Sequence, residues 1–161
     1  MPSVELPETD HVLRYAQPRN LRVAIDENDN QVVIGLLPDA FRRKPEHKNL
    51  SVTWVECFPG LYAEQTERAI QAFRTTFKSS AKLPFKGAFG VGKVSEIKRA
   101  VEKHSRKVRI LHHPELGNEG HSEIHRLPND DDDLLETLAI EAFPTFIMNS
   151  KVPPFPSAEV A

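Results

Sequence analysis

The chain has 161 residues, 39% apolar and 27% charged, which suits one small soluble domain and leaves no room for a large catalytic scaffold such as a full barrel. Its 21 basic and 23 acidic side chains give a net charge of −2, so no global field recruits nucleic acid or an anionic membrane. The single cysteine, Cys57, rules out an internal disulfide and a thiolate zinc site and fits a reducing cytoplasm.

Met1 to His11 is acidic, contains Pro2 and Pro7, and has no basic segment leading into an apolar run, so no secretory signal is expected. The longest apolar stretch, Val32 to Leu37, contains Gly35 and is far too short to cross a membrane. A cytoplasmic protein without membrane contact is the expectation. Residues 1–11 and 150–161, the latter carrying Pro153, Pro154 and Phe155, read as arms flanking a single domain over 12–149.

Within that domain, Leu21 to Ile25 and Gln31 to Leu36 are apolar, β-branched segments joined by Asp26-Glu27-Asn28-Asp29-Asn30, residues that tolerate left-handed turns; a hairpin is predicted. Leu50 to Val55 alternates as a strand and stops at Phe58-Pro59-Gly60. Ala69, Ile70, Phe73 and Phe77 recur at helical spacing, predicting an amphipathic helix from Leu61 to about Phe77. Gly87 to Val94 reads as a strand, Ser95 as the cap of a helix through Ile97, Ala100 and Val101, and Lys107 to His112 as the returning strand. A loop, Pro114 to Gly120, leads to a strand from His121 to Leu127. Asp130 to Asp133 then places negative charge at the start of a last helix carrying Leu134, Leu135, Leu138, Ala139, Ala142 and Phe143. The predicted fold is α/β of the α+β kind, a mixed sheet with helices mainly on one face, in the order β-β-β-α-β-α-β-β-α.

Charge is uneven along the chain. Seven bases, including Lys98, Arg99, Lys103, Arg106 and Lys107, face two acids between Lys93 and Arg109, a local +5; nine acids, including Asp130, Asp131, Asp132 and Asp133, face Arg126 alone between Glu115 and Glu141, a local −8. Such a surface favours steered docking, and the competing reading is solvated helix faces with compensating charge.

Gly87 to Lys93 has the spacing of a phosphate-binding loop, but Val94 stands where a magnesium-binding hydroxyl belongs and no second acidic strand is visible, so a Gly-rich strand entering a helix is the better reading. Five of the seven histidines lie between His104 and His125. If 107–113 and 121–127 are strands, alternation sends Val108, Ile110 and Ile124 to the core and gathers His113, His121, Glu123 and His125 on the opposite face, with His112 near the core. These four are the candidate catalytic groups, able to move a proton or hold a metal. Residues two apart on a strand are separated by roughly 6.6 Å and four apart by about 13 Å, so at most one neighbouring pair plus His113 makes a three-ligand site. An ADP-ribosyltransferase-like triplet of strand residues, Arg14, Ser51 or Thr53, and Glu123, also occurs in order, as chance supplies in any charged strand protein. A lone cysteine such as Cys57 is most often buried and inert.

Arg14-Tyr15, Ala40-Phe41, Leu50-Ser51-Val52, a strand ending near Val94 before a helix, and His113-Pro114, Asn118, His121 and Ile124 together resemble a group of small uncharacterised bacterial proteins, over about Leu13 to Phe143. Their late segment reads roughly acid-Pro, a short loop, then Asn-Pro-Ala-His and an aliphatic residue. This chain has His113 at the acid and Glu119-Gly120 in place of Pro-Ala. The resemblance implies a setting among mobile-element or antiviral defence genes and carries no activity with it.

The sequence thus favours an accessory subunit that docks a protein partner through its polarised surface and its Pro-rich C-terminal arm. The alternative is a small enzyme using His113, His121, Glu123 and His125 on a nucleotide or phosphodiester, by metal-assisted hydrolysis or ADP-ribosyl transfer. Nucleic-acid binding through Arg42–Lys48 and Lys93–Arg109 ranks behind both, for want of interleaved aromatics. No cofactor follows from the residues.

Overall fold

A computed structural model describes residues 4–76 and 86–153. In chain order the elements are β1 (His11–Ala16), β2 (Leu21–Ile25), β3 (Gln31–Leu36), β4 (Leu50–Trp54), α1 (Tyr62–Thr76), β5 (Ala88–Lys93), α2 (Val94–Glu102), β6 (Arg109–His112), β7 (His121–His125), α3 (Asp132–Thr137) and β8 (Thr145–Met148). A π-helical turn, Leu138–Ala142, continues α3. Six strands form one sheet in the order β6-β7-β4-β1-β5-β8, and β2 and β3 make a separate two-stranded ribbon.

The α+β class and the hairpin stand as the sequence predicts. The sheet, however, is not mixed: every pairing in it is antiparallel. The expected strand-helix-strand unit, β5-α2-β6, does not place its strands side by side, because β1, β4 and β7 lie between them. Two strands were not foreseen, β1 and β8. β1 lies between β4 and β5 and buries Val12 and Ala16 against one layer and Leu13 against the other, so its apolar residues do not alternate.

Helices cover both faces of the sheet, two on one side and one on the other. Val12, Ala16, Leu50, Val52, Ile110 and Ile124 pack with Ile97, Ala100 and Val101 of α2 and Leu134, Leu135 and Phe143 from α3 and the turn after it. On the opposite face Leu13, Phe89 and Val91 pack with Val55, Phe58 and Ala69, Ile70 and Ala72 of α1. Glu64 accepts a hydrogen bond from the backbone N–H of Leu61 (3.1 Å), closing the first turn of α1. Residue 77 and the other positions to 85 lie outside the described residues, so the predicted end of this helix at Phe77 is not tested.

The stretch expected to be an N-terminal arm joins the core. Leu6 is 2% exposed. Its N–H donates to the Ile110 carbonyl (2.9 Å) and the His112 N–H donates to that of Val4 (2.7 Å), so residues 4–6 line the free edge of β6. Farther along, the carbonyls of Asp10 and Glu8 accept from the N–H groups of Val94 (2.9 Å) and Ser95 (3.0 Å). These backbone acceptors, rather than the predicted Ser95 side chain, cap α2. The Asp130–Asp133 run behaves as expected, with Asp131 accepting from the Leu134 N–H (3.1 Å) at the start of α3.

Gly87 to Lys93 is strand β5 and the residue before it, not a phosphate cradle. Phe143 lies so near Gly92 that a Cβ there would stand 2.6 Å from its ring, and one at Gly90 would stand 2.7 Å from Leu36. The glycines admit bulky neighbours from the α3 side.

Tyr15 stacks on Phe73 (5.6 Å between ring centroids) and tilts against Phe89 (5.2 Å), and burial pushes its phenol up to about 12. Tyr62 is also raised, by burial and then by the charge of Glu56. A group whose folded-state pKa lies above its unfolded value contributes stability that is complete below the unfolded pKa and lost as pH rises through the folded one. Stability is therefore expected to fall between pH about 10 and about 12. A phenolate absorbance titration should show no tyrosine at the ordinary midpoint and a step near pH 12 that Tyr15→Phe removes; a step at the ordinary position in the folded protein would contradict this.

Candidate functional site

The parity expected for β6 and β7 holds. Ile110 pairs with Ile124 and His112 with Ser122, and both isoleucines enter the core. His121, Glu123 and His125 therefore share the opposite face with Leu111 and Arg109, and His113 continues that face just past the end of β6, its N–H donating to the His121 carbonyl (2.9 Å). β4 lies on the other side of β7, with Thr53 opposite His121 and Ser51 opposite Glu123. Leu50 and Val52 occupy the core face, so Ser51 and Thr53 look toward the histidines.

The four candidate residues separate into two pairs. Glu123 accepts from the Asn49 amide (3.3 Å) and lies 3.7 Å from His125 Nε2. The His113 and His121 rings are 6.0 Å apart. His121, its side chain 12% exposed, is the best-held member. Its Nδ1 is 2.7 Å from the His113 carbonyl oxygen. A carbonyl only accepts, so Nδ1 carries a proton. Its Nε2 faces Ser51 Oγ at 3.3 Å and Glu115 Oε1 at 3.4 Å. Glu115 and Ser51 are the residues that the sequence reading did not attach to this histidine.

Among the described residues no group of three His, Cys, Asp or Glu side chains is placed to hold a metal ion, so the three-ligand arrangement weighed from the sequence is not assembled. The ADP-ribosyltransferase-like triplet is not assembled either. Arg14 shares the core face of β1 with Val12 and Ala16, on the opposite face from the side chains of Ser51, Thr53 and Glu123, and donates to the backbone carbonyls of Ala40 (2.8 Å), Ser51 (3.0 Å) and Arg42 (3.4 Å). Burial lowers its pKa to about 10. Cys57 gains no activation, because burial and then Glu119 raise its thiol pKa.

The polarised surface is largely neutralised within the fold. Lys98 pairs with Glu5 (3.2 Å), Arg99 with Glu96 (2.8 Å), Lys103 with Glu141, and Asp132 with Arg42. Asp131 is taken up as the α3 cap. Arg106, Lys107, Asp130 and Asp133 remain exposed. Of the C-terminal arm, Pro153 is held to α1, its carbonyl accepting from Arg74 (2.9 Å) and Gln71 (3.2 Å), while Pro154 and Phe155 lie outside the described residues. A cleft of about 670 Å³ opens beside it, lined by Phe58, Glu64, Glu67, Arg68, Ala72 and Glu119 among others.

The exposure of the predicted hairpin is what the sequence reading did not foresee. Leu21 and Leu36 anchor its base in the core, and Arg22 pairs there with Glu136. Beyond the base, Val23, Ile25, Val32 and Ile34 are 48%, 60%, 38% and 51% exposed. Register puts Val23 and Ile25 on one face and Val32 on the other, while Ile34 stands at the bulge between the Val23–Val33 and Arg22–Gly35 pairs. At the tip, Asp26 accepts from the N–H groups of Asn28 (2.8 Å) and Asn30 (2.9 Å), leaving Glu27 and Asp29 exposed.

No family model, curated protein or solved structure matches this chain. No helix among the described residues is long and apolar enough to cross a membrane.

Proposed function

We propose that this chain is an accessory interaction subunit that docks a protein partner through the β2–β3 ribbon. The observation that carries the proposal is the exposure of Val23, Ile25, Val32 and Ile34 on both faces of a two-stranded sheet that pairs with no other described strand. An isolated ribbon is marginal in water, and contiguous exposed apolar side chains mark contact surfaces. With Glu27 and Asp29 at its tip, the ribbon matches an apolar groove bordered by basic side chains, and a strand from the partner can extend either ribbon edge. The partner's contact thus moves from the Lys98–Lys107 and Asp130–Asp133 surfaces, where Lys98, Arg99, Lys103 and Asp132 are already paired within the fold, to this projection.

The lone cysteine supports a cytoplasmic setting, and the bacterial resemblance supports a place in a defence or mobile-element system. A nucleotide or phosphodiester site at His113, His121, Glu123 and His125 has less support, since those groups do not converge and Glu115 and Glu123 repel a polyanion. Nucleic-acid binding is supported less again, with Lys98, Arg99 and Lys103 already paired.

A photo-cross-linking residue at Ile34, introduced in cells, is expected to yield one heterologous adduct, lost in the Ile25→Lys/Val32→Lys variant. The variant's unfolding free energy should stay within about 0.5 kcal/mol per exposed site. An adduct between two copies of this chain, or none above the unirradiated control, would reject the proposal.

A further inference from the structure

We infer that Ser51 and His121 form a nucleophile–base pair for acyl transfer, a site separate from the docking ribbon. The geometry has three parts that such chemistry requires. The His113 carbonyl, 2.7 Å from Nδ1, fixes the proton there, so the neutral ring offers its Nε2 lone pair. Ser51 Oγ lies 3.3 Å from Nε2, placed to donate its hydroxyl proton to that lone pair. Glu115 Oε1, 3.4 Å from the same nitrogen, faces the charge that appears when the ring takes a proton. Base, nucleophile and orienting group thus come from β7, β4 and the segment following β6, fixed by the β4–β7 and β6–β7 ladders.

The surrounding charge selects the substrate class. Glu115 at 3.4 Å from the ring and Glu123 on the same face repel phosphate and carboxylate groups. A neutral or cationic carboxylic ester is the class that fits. Ser51 Oγ attacks the ester carbonyl carbon as its proton passes to His121 Nε2. The tetrahedral adduct collapses with cleavage of the carbon–oxygen bond, and the leaving alcohol takes the proton from Nε2. Water then attacks the acyl-serine, giving its proton to Nε2, which returns it to Ser51 as the carboxylic acid departs. Ester and water are consumed, and acid and alcohol are formed.

The test is to incubate the full chain with p-nitrophenyl acetate and, separately, with an uncharged alkyl fluorophosphonate, then to map adducts by peptide mass spectrometry. The expected result is a single modified residue, Ser51, with the rate of modification lowered about a hundredfold in His121→Gln. Modification elsewhere, or none above that of the heat-denatured chain, overturns the inference, and this map needs no variant to fold. An undiminished rate at Ser51 in folded His121→Gln overturns it as well. Because the ribbon is untouched, cross-linking at Ile34 and labelling at Ser51 succeed or fail independently.

Discussion

Phe143→Ala should lower the unfolding free energy by about 3–5 kcal/mol, the range for removing a fully buried aromatic ring. Phe143 is 0% exposed, tilts against Phe41 with 4.8 Å between ring centroids, and lies where side chains at Gly90 and Gly92 would stand. Two glycines and one ring fill the same space, so neither alanine nor its neighbours can collapse into the vacancy: the backbone of β5 is held on both sides by β1 and β8. Denaturant unfolding should report the loss, with a melting temperature lower by about 10 °C. Gly92→Ala introduces the opposite fault, a methyl 2.6 Å from the same ring. Combining it with Phe143→Leu should lose less than the sum of the two single changes, because the smaller side chain makes room for the methyl. Strict additivity would show that the ring does not press on β5.

Arg14→Met is expected to lose about 2–3 kcal/mol, the scale of hydrogen bonds donated by a charged group that is not replaced. Methionine keeps most of the apolar stem and removes all the donors. The three carbonyls served, those of Ala40, Arg42 and Ser51, belong to the turn after β3 and to β4, so one guanidinium on β1 joins that turn to the strand that carries Ser51. Hydrogen exchange should accelerate most over Ala40–Arg42. A variant as stable as the parent would mean that these carbonyls find water or other donors and that Arg14 is free to serve a ligand.

The hairpin and the histidine face could be read from the chain because each depends on local rules. Four turn-forming residues among the five from Asp26 to Asn30 leave a hairpin as the natural connection, and Ile110 and Ile124 fix the parity of His113, His121, Glu123 and His125 whichever strands lie beside them. β1 was hidden because a central strand buried on both faces loses the alternation that marks strands, and β8 because four residues after Pro144 are too few to show a period. The company kept by His121 was beyond reach for another reason. Ser51 stands 70 residues away and meets it only through the order β7-β4, which no spacing encodes. Charge runs misled in a similar way: Lys98 and Glu5, or Lys103 and Glu141, cancel across distances that a tally along the chain treats as separate surfaces.

The N-terminal segment that lies along β6 gives the six-stranded sheet two unlike margins. On that side residues 4–6 occupy the backbone groups through which another chain would join, whereas no described strand pairs with the outer side of β8. Among the described strands, the outer side of β8 is therefore where a further strand would join this sheet.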